Sequence, residues 1–173
     1  MIIKIINSGI IILLSTIIGF KLAKRYTVRI QELSAMQGAL SRLETEIQHY
    51  TSSLPEALLE IGKSVGGGTG NLFILTGQTL IEKKEYTVSE AWSLCLEKVK
   101  PELCFEQEDF DILRRFGSQL GKSDKEGQVR FIRLTMLQLQ EEEKKARVIR
   151  EKNDKMYRSL GLLGGLALTI LLL

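Results

Sequence analysis

The sequence predicts an all-α protein, roughly a six-helix bundle held between an N-terminal and a C-terminal transmembrane helix. Three observations carry that expectation. Long uncharged apolar runs stand near both ends of the 173-residue chain. Two prolines in all, with abundant Leu, Glu, Lys, Gln and Ala, favour helix everywhere between them. No sustained two-residue alternation and no Asn-Gly or Asp-Gly pair marks a hairpin. The expected divisions are 1–22, 23–158 and 159–173.

From Ile5 to Leu22 only Lys21 is charged. About 18 residues of helix reach roughly 27 Å, close to a hydrocarbon core, and a helix satisfies its own backbone in lipid. A cleavable signal peptide needs small residues after its apolar run. Here Phe20-Lys21-Leu22-Ala23-Lys24-Arg25 stands instead, so the run reads as an anchor. Lys21, Lys24, Arg25 and Arg29 come before the first acid, Glu32, which keeps this flank cytoplasmic.

Residues 27–50 then read as one helix. Leu33, Met36, Leu40, Leu43, Ile47 and Tyr50 recur at alternating spacings of three and four, a seam for another helix. Ser53-Leu54-Pro55-Glu56 is a capping signature, and Leu54, Ala57, Leu58, Ile61 and Val65 make the stripe that follows. Gly66-Gly67-Gly68-Thr69-Gly70 is expected to end that helix as a flexible connection, with a shorter apolar helix over 72–81. Thr87-Val88-Ser89-Glu90 is a second box, its stripe Val88, Ala91, Trp92, Cys95 and Val99, broken at Pro101.

Glu106, Glu108, Asp109 and Asp111 crowd the start of the next helix, where the macrodipole favours negative charge. Its inward side is Phe110, Leu113, Phe116 and Leu120. Ser123-Asp124-Lys125-Glu126 opens the last and longest helix, with Val129, Ile132, Met136 and Leu139 facing the core. From Glu141 to Arg158 it turns highly charged, a length suited to lying antiparallel along the first helix. Leu160–Leu173 has no charge and only about 21 Å of reach, so it is expected to cross as a short span with local thinning of the bilayer. An interfacial tail is the other reading. Small residues Gly161, Gly164 and Gly165, with Gly9 and Gly19 opposite, would let the two terminal helices approach closely.

Charge is unevenly placed. Residues 144–158 carry seven bases and two acids, whereas residues 43–111 carry five bases and thirteen acids. Lys21, Lys24, Arg25, Lys155 and Arg158 are the expected membrane-flanking bases, beside anionic lipid. The acidic middle is expected at the end of the bundle far from the membrane. Glu102, Glu106, Glu108, Asp109 and Asp111 are the candidate contacts for a basic partner there.

Chemistry is hard to assemble. His49 is the one histidine, and Cys95 and Cys104, nine apart, read as reduced thiols. The glycine run lacks the Gly-Lys-Ser/Thr ending of a phosphate loop, since Asn71-Leu72 stands there. No catalytic set, metal site or cofactor site is expected, and no basic-aromatic surface suggests nucleic acid. The function class is therefore a platform or a tethered coiled-coil scaffold or signalling adaptor acting by oligomerisation.

Four stretches resemble a known family. They are Gly19-Phe20-Lys21-Leu22-Ala23-Lys24-Arg25, Leu43-Glu44-Thr45-Glu46-Ile47, Phe116-Gly117-x-x-Leu120-Gly121-x-Ser123-Asp124-x-x-Gly127-Gln128, and Lys155-Met156-Tyr157-Arg158-Ser159-Leu160-Gly161. Together they look like the stage III sporulation protein AB family, over essentially the full length. The resemblance implies a membrane protein of the mother cell, facing the forespore, in a secretion-like complex. It also implies a cytoplasmic domain similar to that of the type II secretion inner-membrane platform protein. That relative has two such domains and more spans, so a possible homo-oligomer stays open. The partners implied are the cytoplasmic sporulation ATPase AA and other membrane subunits. The segment from Gly117 to Gln128 is expected to be a helix stop followed by a capped start.

Overall fold

The alternating seam of Leu33, Met36, Leu40 and Leu43 falls on one side of a helix, and all four side chains are fully buried. They belong to α1, Ile2–His49. The structure, a computed structural model, describes the backbone of residues 2–49 and 53–172 and the side chains of residues 24–49 and 53–153. Both apolar terminal runs, Lys21, Lys155, Arg158 and Tyr50 lie outside the described side chains. Among the described residues no helix is long and apolar enough to cross a membrane.

The remaining elements are α2 (Leu54–Val65), α3 (Gly67–Glu82), α4 (Val88–Val99), a 3-10 turn (Lys100–Glu102), α5 (Gln107–Gln119) and α6 (Lys125–Leu172). The protein is all-α, as its sequence predicts. The chain divides into two compact units, Arg29–Lys144 and the pair Met1–Val28 with Lys145–Leu173. In the second, Ala146 is fully buried and Val148 is exposed.

Within Arg29–Lys144 the helices run up and down. Gly77 on α3 lies against the Pro55 carbonyl, Gly68 against Leu103, and Gly121 against Val88. Arg133 on α6 reaches Glu44 on α1, and Gln37 reaches Glu143, so α6 runs counter to α1 as expected. One end of the unit therefore gathers the start of α1's run at Arg29, the 3-10 turn and the first turn of α5. The opposite end carries the connections 83–87 and 120–124. The centre is aromatic: Trp92 meets Phe73 and Phe116 edge-on, at 5.4 and 5.1 Å between ring centres.

The glycine run departs from expectation. Only Gly66, at φ 67°, separates α2 from α3, and α3 begins at Gly67. The reason lies in packing rather than chain flexibility. A Cβ built on Gly62 would stand 2.6 Å from the Gly70 carbonyl oxygen. These glycines let α2 and α3 close on each other, and a flexible loop is not what they make. The segment from Gly117 to Gln128 does hold a helix stop and a capped start: α5 runs through Gly117 to Gln119, Gly121, at φ 80°, makes the turn, and α6 opens at Lys125.

The three expected caps differ in outcome. Thr87 and Glu90 form a full box, the Thr87 hydroxyl accepting from the Glu90 amide at 3.3 Å and Glu90 accepting from the Thr87 amide at 2.8 Å. Ser53 precedes α2 at the N-cap position without a side-chain cap, and Pro55 stands in the first turn. At α6 the cap is Asp124, which accepts from the Gly127 amide at 2.9 Å, in place of Ser123.

Gly38 is a different case. It sits mid-helix on α1, exposed, and an added methyl would meet nothing within 4 Å. Gly38→Ala is expected to stabilise the fold by about 1 kcal/mol, through helix propensity and a less free unfolded chain. Chemical denaturation reads it directly, and a loss of stability would contradict an open site.

Candidate interaction surface

The surface is built on a residue that sequence reasoning placed among the membrane-side bases. Arg29 is 2% exposed. A guanidinium taken out of water needs carboxylates that match its fork. Asp109 supplies the main match, accepting from Nε at 2.8 Å and from Nη2 at 3.0 Å. Glu106 pairs with Nη1 at 2.8 Å and Glu142 with Nη2 at 3.5 Å. Three helices thus converge: α1 gives the cation, the start of α5 gives Glu106 and Asp109, and α6 gives Glu142. Burial works against the charge on Arg29. Its hydrogen bonds to Asp109 and the negative charges of Asp109, Glu106 and Glu142 outweigh that and hold its pKa above the ordinary arginine value.

Asp109 also caps α5, accepting from the Glu106 amide at 2.8 Å. One turn further along α1, Glu32 accepts from the Cys104 amide at 2.6 Å. Burial raises the Glu32 pKa more than that hydrogen bond lowers it, so the carboxyl titrates above its ordinary value. A carboxyl with a raised folded pKa is unfavourable to folding wherever it is ionised. The penalty is full at neutral pH and fades as pH falls through the folded pKa toward the unfolded one. Glu32→Gln keeps an acceptor oxygen without the charge. It is expected to raise stability at pH 7 and to lose that advantage at acid pH, as paired thermal melts across that range would reveal.

The candidate contacts separate into two kinds. Glu102 and Glu108 are exposed, Glu102 accepting from Asn71 Nδ2 at 2.8 Å. Asp111 is 46% exposed and pairs with Arg114, which also bridges to Glu97 at 2.7 Å. Glu106 is 44% exposed and holds Arg29. Asp109 is 0% exposed, which removes it as a direct contact: its carboxylate is spent on Arg29 and the α5 cap. Lys24 and Arg25 are exposed.

The acidic group stands at the end of the Arg29–Lys144 unit that holds Arg29 and Glu142, not at the end that carries the connections 83–87 and 120–124. The pairing with Arg29 requires this. Two of these residues fall at the spacing of a buried seam. Arg29 continues the α1 seam four residues before Leu33, and Glu142 follows Leu139 by three on the inward side of α6. His49 is exposed, Cys95 and Cys104 form no disulfide, and the carboxylates here meet a guanidinium.

Comparison with known proteins agrees over the whole chain. The family model described as Stage III sporulation protein AB matches residues 4–173. Stage III sporulation protein AB of Bacillus subtilis (strain 168) is 32% identical over 170 residues, 98% of this chain and 99% of that one. A solved structure of Stage III sporulation protein AB (SpoIIIAB) superimposes with a TM-score of 0.68 at 26% identity, over 72% of this chain and 98% of that one. With the full length matched, and with a helical bundle of the same fold, the chain belongs to the stage III sporulation protein AB family.

Proposed function

We propose that this protein is a non-enzymatic platform subunit of a secretion-like sporulation complex, sited in the mother-cell membrane facing the forespore. Both terminal apolar segments enter the bilayer and the helical bundle stays in the cytoplasm. There an acidic rim, Glu102, Glu108 and Asp111, docks a basic face of the cytoplasmic sporulation ATPase AA, with other membrane subunits alongside. The observation that carries this reading is the buried Arg29 cluster. It fixes the first turn of α5 against α1 and α6, so the exposed acids beside it are held in place instead of fluctuating. Preset charge orients and speeds association with an oppositely charged partner.

The test is reversal of Glu102, Glu108 and Asp111 to Lys in the full-length protein, with ATPase binding measured. Binding is expected to weaken at least tenfold and wild-type binding to fall with added salt. Unchanged affinity would remove the rim from that role. Glu106 and Asp109 are left intact, because a cation at either position would stand against Arg29 and damage the fold. A second reading, a tethered scaffold that acts by oligomerising, is favoured by one feature. Leu134 and Leu137 on α6 are 47% and 60% exposed. Sedimentation of the wild type beside Leu137→Glu separates the readings, since only a scaffold built on that face would dissociate.

A further inference from the structure

Glu32 is placed where it weakens the fold. Its carboxylate is partly buried and, among the described residues, it makes no ion pair. A charge taken from water without a cation is unfavourable, and an apolar side chain at this position on α1 would pack without that cost. What the carboxylate does is accept from the Cys104 amide at 2.6 Å. That amide lies in the short connection between the 3-10 turn and α5. Leu103 and Phe105, on either side, are 7% and 4% exposed and turn into the core. The backbone between them must find a partner away from water. Helix α1 supplies it, and one turn back Arg29 grips Glu106 and Asp109 at the other end of the same connection. The segment that carries Glu102, Glu106 and Glu108 is therefore held by α1 at two points.

We infer that Glu32 is a positioning residue, fixing from α1 the backbone that presents the acidic rim. The inference rests on the docking role of that rim only for its consequence in binding; the positioning itself is independent of any partner. Local order is obtained here at the expense of global stability, which separates this role from ordinary core packing.

The experiment compares Glu32→Ala and Glu32→Gln in the full-length protein, by hydrogen exchange and by ATPase binding. In Glu32→Ala the amide of Cys104 is expected to exchange at least about tenfold faster, because a half-buried donor loses its acceptor, while the Glu106 amide keeps Asp109. Amides in α2 and α3 should keep their wild-type rates. Glu32→Gln, with an acceptor oxygen in place, should stay within about twofold of wild type. Binding should weaken at least about fivefold in the Ala variant and be restored in the Gln variant, with overall stability undiminished in the Gln variant. Unchanged exchange at Cys104, a uniform rise across all helices, or a Gln variant that behaves like Ala would overturn the inference. If reversing Glu102, Glu108 and Asp111 leaves binding untouched, the docking reading fails by itself, and the exchange pattern alone decides the role of Glu32.

Discussion

Replacing Arg29 with Met is expected to cost about 3–5 kcal/mol, because it strips the cation from carboxylates that stay out of water. Asp109 is 0% exposed, and the Glu142 side chain is 13% exposed. Without the guanidinium, Asp109 is left with the Glu106 amide, and the first turn of α5 loses its tie to α1 and α6. Urea denaturation followed by the fluorescence of Trp92, the single tryptophan, would measure the loss. The double variant Arg29→Met/Asp109→Leu is expected to recover at least half of it. Replacing a whole buried ion pair by apolar side chains is far less damaging than breaking one. A single variant as stable as wild type would mean that the three-helix junction contributes little. A double variant no better than the single one would place the damage in packing rather than in unpaired charge.

Arg29 also marks where sequence reasoning stopped. Its charge, next to Lys24 and Arg25, suggests a solvated flank, while its spacing from Leu33 puts it on the buried seam. Charge and periodicity disagreed, and the fold followed periodicity because three acids from distant parts of the chain converge on it. No local pattern announces that convergence: Arg29 and Asp109 are 80 residues apart. Features that depend on one helix alone were legible. Leu33, Met36, Leu40 and Leu43 are all fully buried, as are Trp92 on α4 and Leu113 on α5. The Thr87 box forms because both its partners are within four residues of each other.

Local logic reaches only some of the glycines. A glycine reads as a break when only backbone freedom is considered, and Gly66 and Gly121, both at positive φ, fit that reading. Gly62, Gly70 and Gly117 are instead set by what crosses them from another helix, which one stretch of sequence does not reveal. The acidic group shows the same division. Its residues and its place at a helix start were readable, but which end of the unit it occupies depends on a pairing with α1.

The sharpest test of that distinction is the pair of identical substitutions Gly117→Ala and Gly38→Ala, expected to act with opposite sign. At Gly117 an added Cβ would stand 2.8 Å from Trp92 Cγ and from its ring nitrogen. The indole cannot retreat easily. Its Nε1 donates to the Leu113 carbonyl at 3.0 Å, and Phe73 and Phe116 close on it edge-first. Accommodating the methyl therefore forces a shift of ring or helix, at about 1–3 kcal/mol for overpacking. Loss of the indole hydrogen bond would add about 1 kcal/mol. Better helix propensity returns about 1 kcal/mol, leaving a net destabilisation of about 2 kcal/mol. A shift in Trp92 emission should accompany it, because the indole itself is displaced. Gly38→Ala gains the same propensity with no collision and should leave the emission unchanged. If both substitutions stabilised the protein equally, Gly117 would be an ordinary helix position and the tight seat beneath Trp92 would be wrong.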